Sequence, residues 1–69
     1  MDKTLELMTD AAIYRAMLDE RPSLVEAIAG LLAHGQAPAE IERIMRSKFG
    51  DVQMVRNVGH VANYLTAQR

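Results

Sequence analysis

From Val52 to Arg69 the chain carries no acidic residue, while Gln53, Arg56, Asn57, His60, Asn63 and Tyr64 recur at intervals of about one helical turn. At about 100° per residue these six share a sector of roughly 120°, opposite a stripe made by Val55, Val58, Ala62 and Leu65. One side of such a helix is apolar, and the other presents amides, a guanidinium, an imidazole and a phenol. The guanidinium matches the major-groove edge of guanine and the amides match adenine, and none of these groups repels phosphate. The same donors and acceptors also suit a protein partner, where Arg and Tyr are common anchors. A solvated polar helix face is the plainer alternative.

Other chemistries find less support. The chain has two histidines and no cysteine, which excludes thiol nucleophiles, iron–sulfur sites and cysteine-ligated zinc. His34 and His60 have no further ligand residues at metal-binding spacing. Asp10 lies one helical turn from Glu6, an arrangement read as two acids on a solvated outer face rather than a catalytic pair. Gly30, Gly35, Gly50 and Gly59 are too dispersed for a phosphate-binding loop. The expectation is a non-enzymatic chain with no metal and no cofactor.

Charge is distributed unevenly. Residues 1–39 hold three basic and six acidic groups, residues 40–69 five and three, within a net charge of −1. Arg43, Arg46 and Lys48, with Arg56, form a possible phosphate footprint, or else a solvated surface of local Glu–Arg pairs. Four charges bind nucleic acid weakly, so a DNA-binding role would require a dimer or a larger complex.

The elements that position these residues follow from the helix breakers. Four helices are predicted, over about 4–20, 24–34, 38–49 and 52–68, making residues 1–69 one all-α bundle. In the first, Leu5, Met8, Ala12, Ala16 and Met17 are expected on the inner side, with Thr9-Asp10 a possible later N-cap; whether residues 4–9 are helix or arm is open. Ser23 and Glu26 fit a capping box for the second helix. That helix is apolar nearly all round, predicting a central position, and Gly35 supplies its left-handed stop. Pro38 fits the first position of the third helix, which turns Ile41, Ile44, Met45 and Phe49 inward and spaces Glu42 and Arg46 as a pair. Gly50 ends it, and Asp51 is a candidate cap for the fourth.

Gly59 costs a helix interior about 1 kcal/mol relative to alanine. With Val52, Ala62 and Thr66 it marks a strip where another helix approaches closely, either the first or second helix of the same chain or a second subunit. A homodimer suits a 69-residue chain, because so short a chain builds a small core. Met8, Met17, Met45 and Met54 are expected in the core first and at an interface second. Apolar residues at 49% and charged ones at 25% are ordinary globular values, against disorder. No apolar run approaches a membrane span, and Met1-Asp2-Lys3-Thr4 does not resemble a signal peptide, so a cytoplasmic protein is expected.

The stretch Leu31-Leu32-Ala33-His34-Gly35, then Pro38-Ala39-Glu40-Ile41, the Gly50 turn and Val55-Arg56-Asn57 resembles the helix-turn-helix unit of the Trp-repressor-like class, over about half the chain. The resemblance implies a recognition helix with Gln53, Arg56, Asn57 and His60 facing DNA. Two functional expectations stand side by side. One is a small DNA-associated regulator of helix-turn-helix type acting as a homodimer. The other is a protein–protein interaction module or small inhibitor, of phage or plasmid type, docking through the last helix.

Overall fold

Proline sets two of the helix starts. In the computed structural model, which describes residues 3–68, the elements are α1 (Lys3–Glu20), α2 (Pro22–Ala33), α3 (Pro38–Phe49) and α4 (Gln53–Ala67). Among the described residues there is no strand, and the four helices pack as an all-α bundle. No described helix is long and apolar enough to cross a membrane.

Two expected starts differ, those of α2 and α4, and the question left open in α1 is answered. The second helix begins at Pro22 rather than Leu24, with Ser23 inside its first turn and no capping box. Proline at the first helical position loses no hydrogen bond, and the Arg21 carbonyl accepts from the amides of Leu24 and Val25 at 3.1 and 3.2 Å. Helix α1 runs unbroken through Thr9-Asp10. Thr9 donates back to the Leu5 carbonyl at 3.0 Å instead of capping a later start, a bond that a helical threonine makes readily. Val52, not Asp51, occupies the N-cap of α4, and the Asp51 carboxylate turns to Arg56.

The centre of the bundle is α4, which packs against all three other helices and buries Val55, Val58, Gly59, Val61 and Ala62. Helix α2, expected there, buries only Val25, Ile28 and Leu32. Much of its remaining apolar character is Ala27, Ala29, Gly30 and Ala33, all exposed. Such small residues offer little area to remove from water.

Helix α1 carries two apolar stripes, and the bundle takes the one that the sequence made harder to see. Asp10, Ile13, Tyr14 and Met17 face inward at helical spacing, with Met17 in the core and Ile13 and Tyr14 packed against it. Leu5 and Met8 are 60% and 63% exposed, and Ala12 and Ala16 are exposed beside them. Of the five residues expected inside, Met17 alone is buried, and the Ile13–Met17 line presents bulkier side chains to the core than Ala12 and Ala16 would. In α3, Ile41 is buried and Met45 half-buried, whereas Ile44 and Phe49 lie outside. One α3 line suffices to close on α4, and Phe49 stands in the last turn, at an open groove bordered by Leu24 and Met54.

The turns are glycine-dependent where expected. Gly35, at φ +95°, ends α2, with its own N–H and that of Gln36 returning to Leu32 and Leu31. Gly50, at φ +82° and ψ −174°, takes a conformation essentially reserved for glycine, and it directs the chain from α3 into the central helix.

Candidate interaction surface

Because α4 is central, its polar sector is narrower than the sequence implies. Gln53, Arg56 and Asn63 are exposed and Asn57 is partly exposed, with Gln53 Nε2 donating to Asn57 Oδ1 at 3.1 Å. His60 and Tyr64, the other two members, turn onto α1. The Tyr64 ring stacks on Tyr14, with centroids 4.6 Å apart and planes inclined by 24°. His60 Nδ1 lies 2.7 Å from Asp10 Oδ1. With a carboxylate as acceptor, Nδ1–H is the donor, which fixes the ring's orientation.

Asp10 is the residue of this surface that the sequence pattern misplaced. It is a buried polar residue rather than a solvated one; its side chain is 11% exposed and that of His60 37%. The signal was present, since Asp10 stands three, four and seven residues before Ile13, Tyr14 and Met17 and so shares their face. An acid on an inward face needs a partner, and His60 supplies it from fifty residues away. Beside this pair, an open groove of about 410 Å³ runs between α1 and α4, lined by Leu5, Glu6, Thr9, Asp10, His60 and Asn63. The groove offers an apolar edge, two carboxylates, a hydroxyl, an amide and an oriented imidazole.

The basic cluster is largely matched within the chain. Arg43 Nη2 contacts Glu40 Oε2 at 2.7 Å. Arg46 pairs with Glu42, one turn before it as expected, and its Nε lies 4.0 Å from Asp51. Arg56 Nη2 reaches the other Asp51 oxygen at 3.3 Å. Lys48 is exposed and forms no ion pair among the described residues. The exposed acids without a described ion pair all stand in the first half of the chain: Glu6, Asp19, Glu20 and Glu26.

Gly59 meets α3. A Cβ placed on it would lie 2.8 Å from Glu42 Oε2 and 3.1 Å from Glu42 Cδ, so the glycine accommodates a side chain of the third helix rather than the first or second. Of its companions, Ala62 is fully buried. Thr66 is exposed and donates to the Ala62 carbonyl at 2.8 Å, and Val52 is exposed at the N-cap. The four do not form one continuous outer strip. Among the described residues no cluster of three or more His, Cys, Asp or Glu converges on a metal-sized site. No protein-family model, no curated protein and no solved structure matches the chain.

Proposed function

We propose that the chain is a small non-enzymatic interaction module that docks on a protein partner, using the edge formed by α1 and α4. The observation that carries this reading is the second apolar stripe of α1, where Leu5 and Met8 stand more than half exposed and Leu5 borders the groove that also holds Asn63. A helix with apolar residues on two sides is suited to lie between two neighbours, and the bundle supplies one of them. The charge pattern supports a protein partner too, since Arg43, Arg46 and Arg56 already face carboxylates of the same chain.

The test is affinity capture from cells that express the tagged chain, run beside a Leu5→Glu/Met8→Glu variant. Both positions are solvent-exposed, so circular dichroism should be unchanged. The expected result is a partner retained by the wild-type chain and lost by the variant; an identical partner set for both overturns the reading.

A second reading, the homodimeric DNA-associated regulator, is favoured by the absence of acids from α4 and by the exposure of Gln53, Arg56 and Asn63. It is tested by anisotropy of a mixed-sequence duplex against salt. Phosphate contact requires affinity that falls steeply with salt, with the slope reduced by about one in Arg56→Ala.

A further inference from the structure

We infer that the occupant of the exposed α1 stripe is a basic amphipathic helix of a partner protein, a conclusion that rests on the docking reading above. Leu5, Met8, Ala12 and Ala16 fall within a sector of about 80°. At about 1.5 Å per residue they extend over roughly 17 Å, the length of about three turns of a partner helix. Leu5 and Met8 supply large apolar contacts at one end. Ala12 and Ala16 allow close approach of the partner's backbone at the other. The mode is an apolar stripe laid against a second helix, with anchors at i, i+3 and i+4 spacing.

Charge selects among possible occupants. Glu6 lines the groove beside Leu5, Asp19 and Glu20 lie at the far end of α1, and Glu26 follows on α2; all four are exposed and have no ion pair among the described residues. Arg15 and Arg21 are the cations of this half whose side chains are described, and neither has an ion pair; four such acids against two such arginines leave an acidic excess on the α1–α2 half of the surface. The arginines of α3 and α4 are already engaged with Glu40, Glu42 and Asp51. A second copy laid α1 against α1 would bring four more of these acids with only two more unpaired arginines, which doubles the acidic excess instead of matching it. Lysines or arginines flanking the apolar stripe of a different helix would pair with them, and complementarity of this kind raises both association rate and selectivity.

The experiment uses the full chain and three fluorescein-labelled amphipathic helical peptides of one length, with leucine on the apolar face and lysine, glutamine or glutamate on the polar face. Anisotropy titrations are run with the wild type, with Met8→Glu, and with Glu6→Lys/Asp19→Lys, and sedimentation gives the oligomeric state. The inference expects the lysine peptide to bind about tenfold or more tighter than the glutamine peptide, and the glutamate peptide not to bind. It also expects about a tenfold loss in each variant, a free-energy change of about 1.4 kcal/mol.

Equal binding of lysine and glutamine peptides, unaffected by Glu6→Lys/Asp19→Lys but lost in Met8→Glu, overturns the charge assignment and leaves the docking reading intact. Binding indifferent to Met8→Glu overturns the assignment of the stripe. A wild-type dimer that Met8→Glu dissociates gives the stripe to a second copy and overturns the inference. A monomer that binds none of the three peptides overturns both the inference and the docking reading on which it rests.

Discussion

Replacing Gly59 by alanine sets two terms of known sign against each other. Alanine is favoured over glycine inside a helix by about 1 kcal/mol. Against this, the new Cβ would lie 2.8 Å from Glu42 Oε2, 3.1 Å from Glu42 Cδ and 3.6 Å from Glu42 Cγ, its three nearest neighbours outside its immediate helical surroundings. The obstacle is the end of a flexible side chain, held by an arginine whose own side chain is 47% exposed. Moving it aside costs about 0.5 kcal/mol for an exposed ion pair and up to about 1 kcal/mol if Glu42 leaves its preferred rotamer. Gly59→Ala should therefore change stability by less than about 0.5 kcal/mol. The same substitution in a Glu42→Ala background should stabilise by the full amount, about 1 kcal/mol, or a rise in melting temperature of about 4–8 °C for a chain of this size. Urea unfolding of the four proteins, followed by circular dichroism, gives the cycle and a coupling of about 0.5–1.5 kcal/mol. A loss above about 2 kcal/mol in both backgrounds would refute the assignment of the gap to Glu42. A loss that grows with protein concentration would instead place a second subunit against this glycine.

Three further outcomes follow from the same packing. His60→Ala should cost more than Asp10→Ala, about 2 against about 1 kcal/mol, because losing the imidazole strands a carboxylate that is 11% exposed, whereas a 37%-exposed imidazole can turn to water; chemical denaturation gives the order, and equal losses would mean the pair is solvated. Ile41→Ala, at a position 1% exposed, should remove about 3 kcal/mol, and Ile44→Ala, at 38% exposed, less than about 1 kcal/mol; comparable urea midpoints would deny the inward assignment of α3. Gly50→Ala should destabilise by about 1–3 kcal/mol through its φ of +82° and ψ of −174°, while Gly30→Ala, within α2 and with nothing within 4 Å of the added Cβ, should stabilise by about 1 kcal/mol; thermal unfolding separates the signs.

How far the sequence could be read depended on whether a signal was local. Pro38, Gly35 and Gly50 act through backbone conformation alone, and the third helix and both turns fall where they predict. The Glu42–Arg46 pair is likewise one turn of a single helix. The Ser23–Glu26 capping box is local too, yet Pro22 takes the first helical position and draws the start of α2 ahead of the serine. Burial requires comparing faces between helices, and there the reading failed in a patterned way. Helix α2 has the more continuous apolar sequence, but its alanines and glycine carry little side-chain area, so α4 takes the centre with three fully buried valines.

The candidate surface shows the same dependence. Gln53, Arg56 and Asn63 are exposed where the wheel of α4 places them. His60 and Tyr64 belong to that wheel as well, but whether they face solvent depends on Asp10 and Tyr14, fifty residues earlier. No periodicity within α4 contains that information. It was available only by asking which stripe of α1 packs inward, and α1 offers two. The inward line must tolerate Asp10, at a cost of desolvation unless a donor meets it; the chain provides that donor at His60. The Asp10–His60 pairing is therefore one event rather than two: once Ile13 and Met17 are placed in the core, Asp10 enters with them, His60 turns to meet it, and Leu5 and Met8 are left on the outside. The exposed stripe on which the docking proposal rests is thus a consequence of the buried pair. Perturbing Asp10 in a way that rotates α1 should change access to Met8 as well as stability.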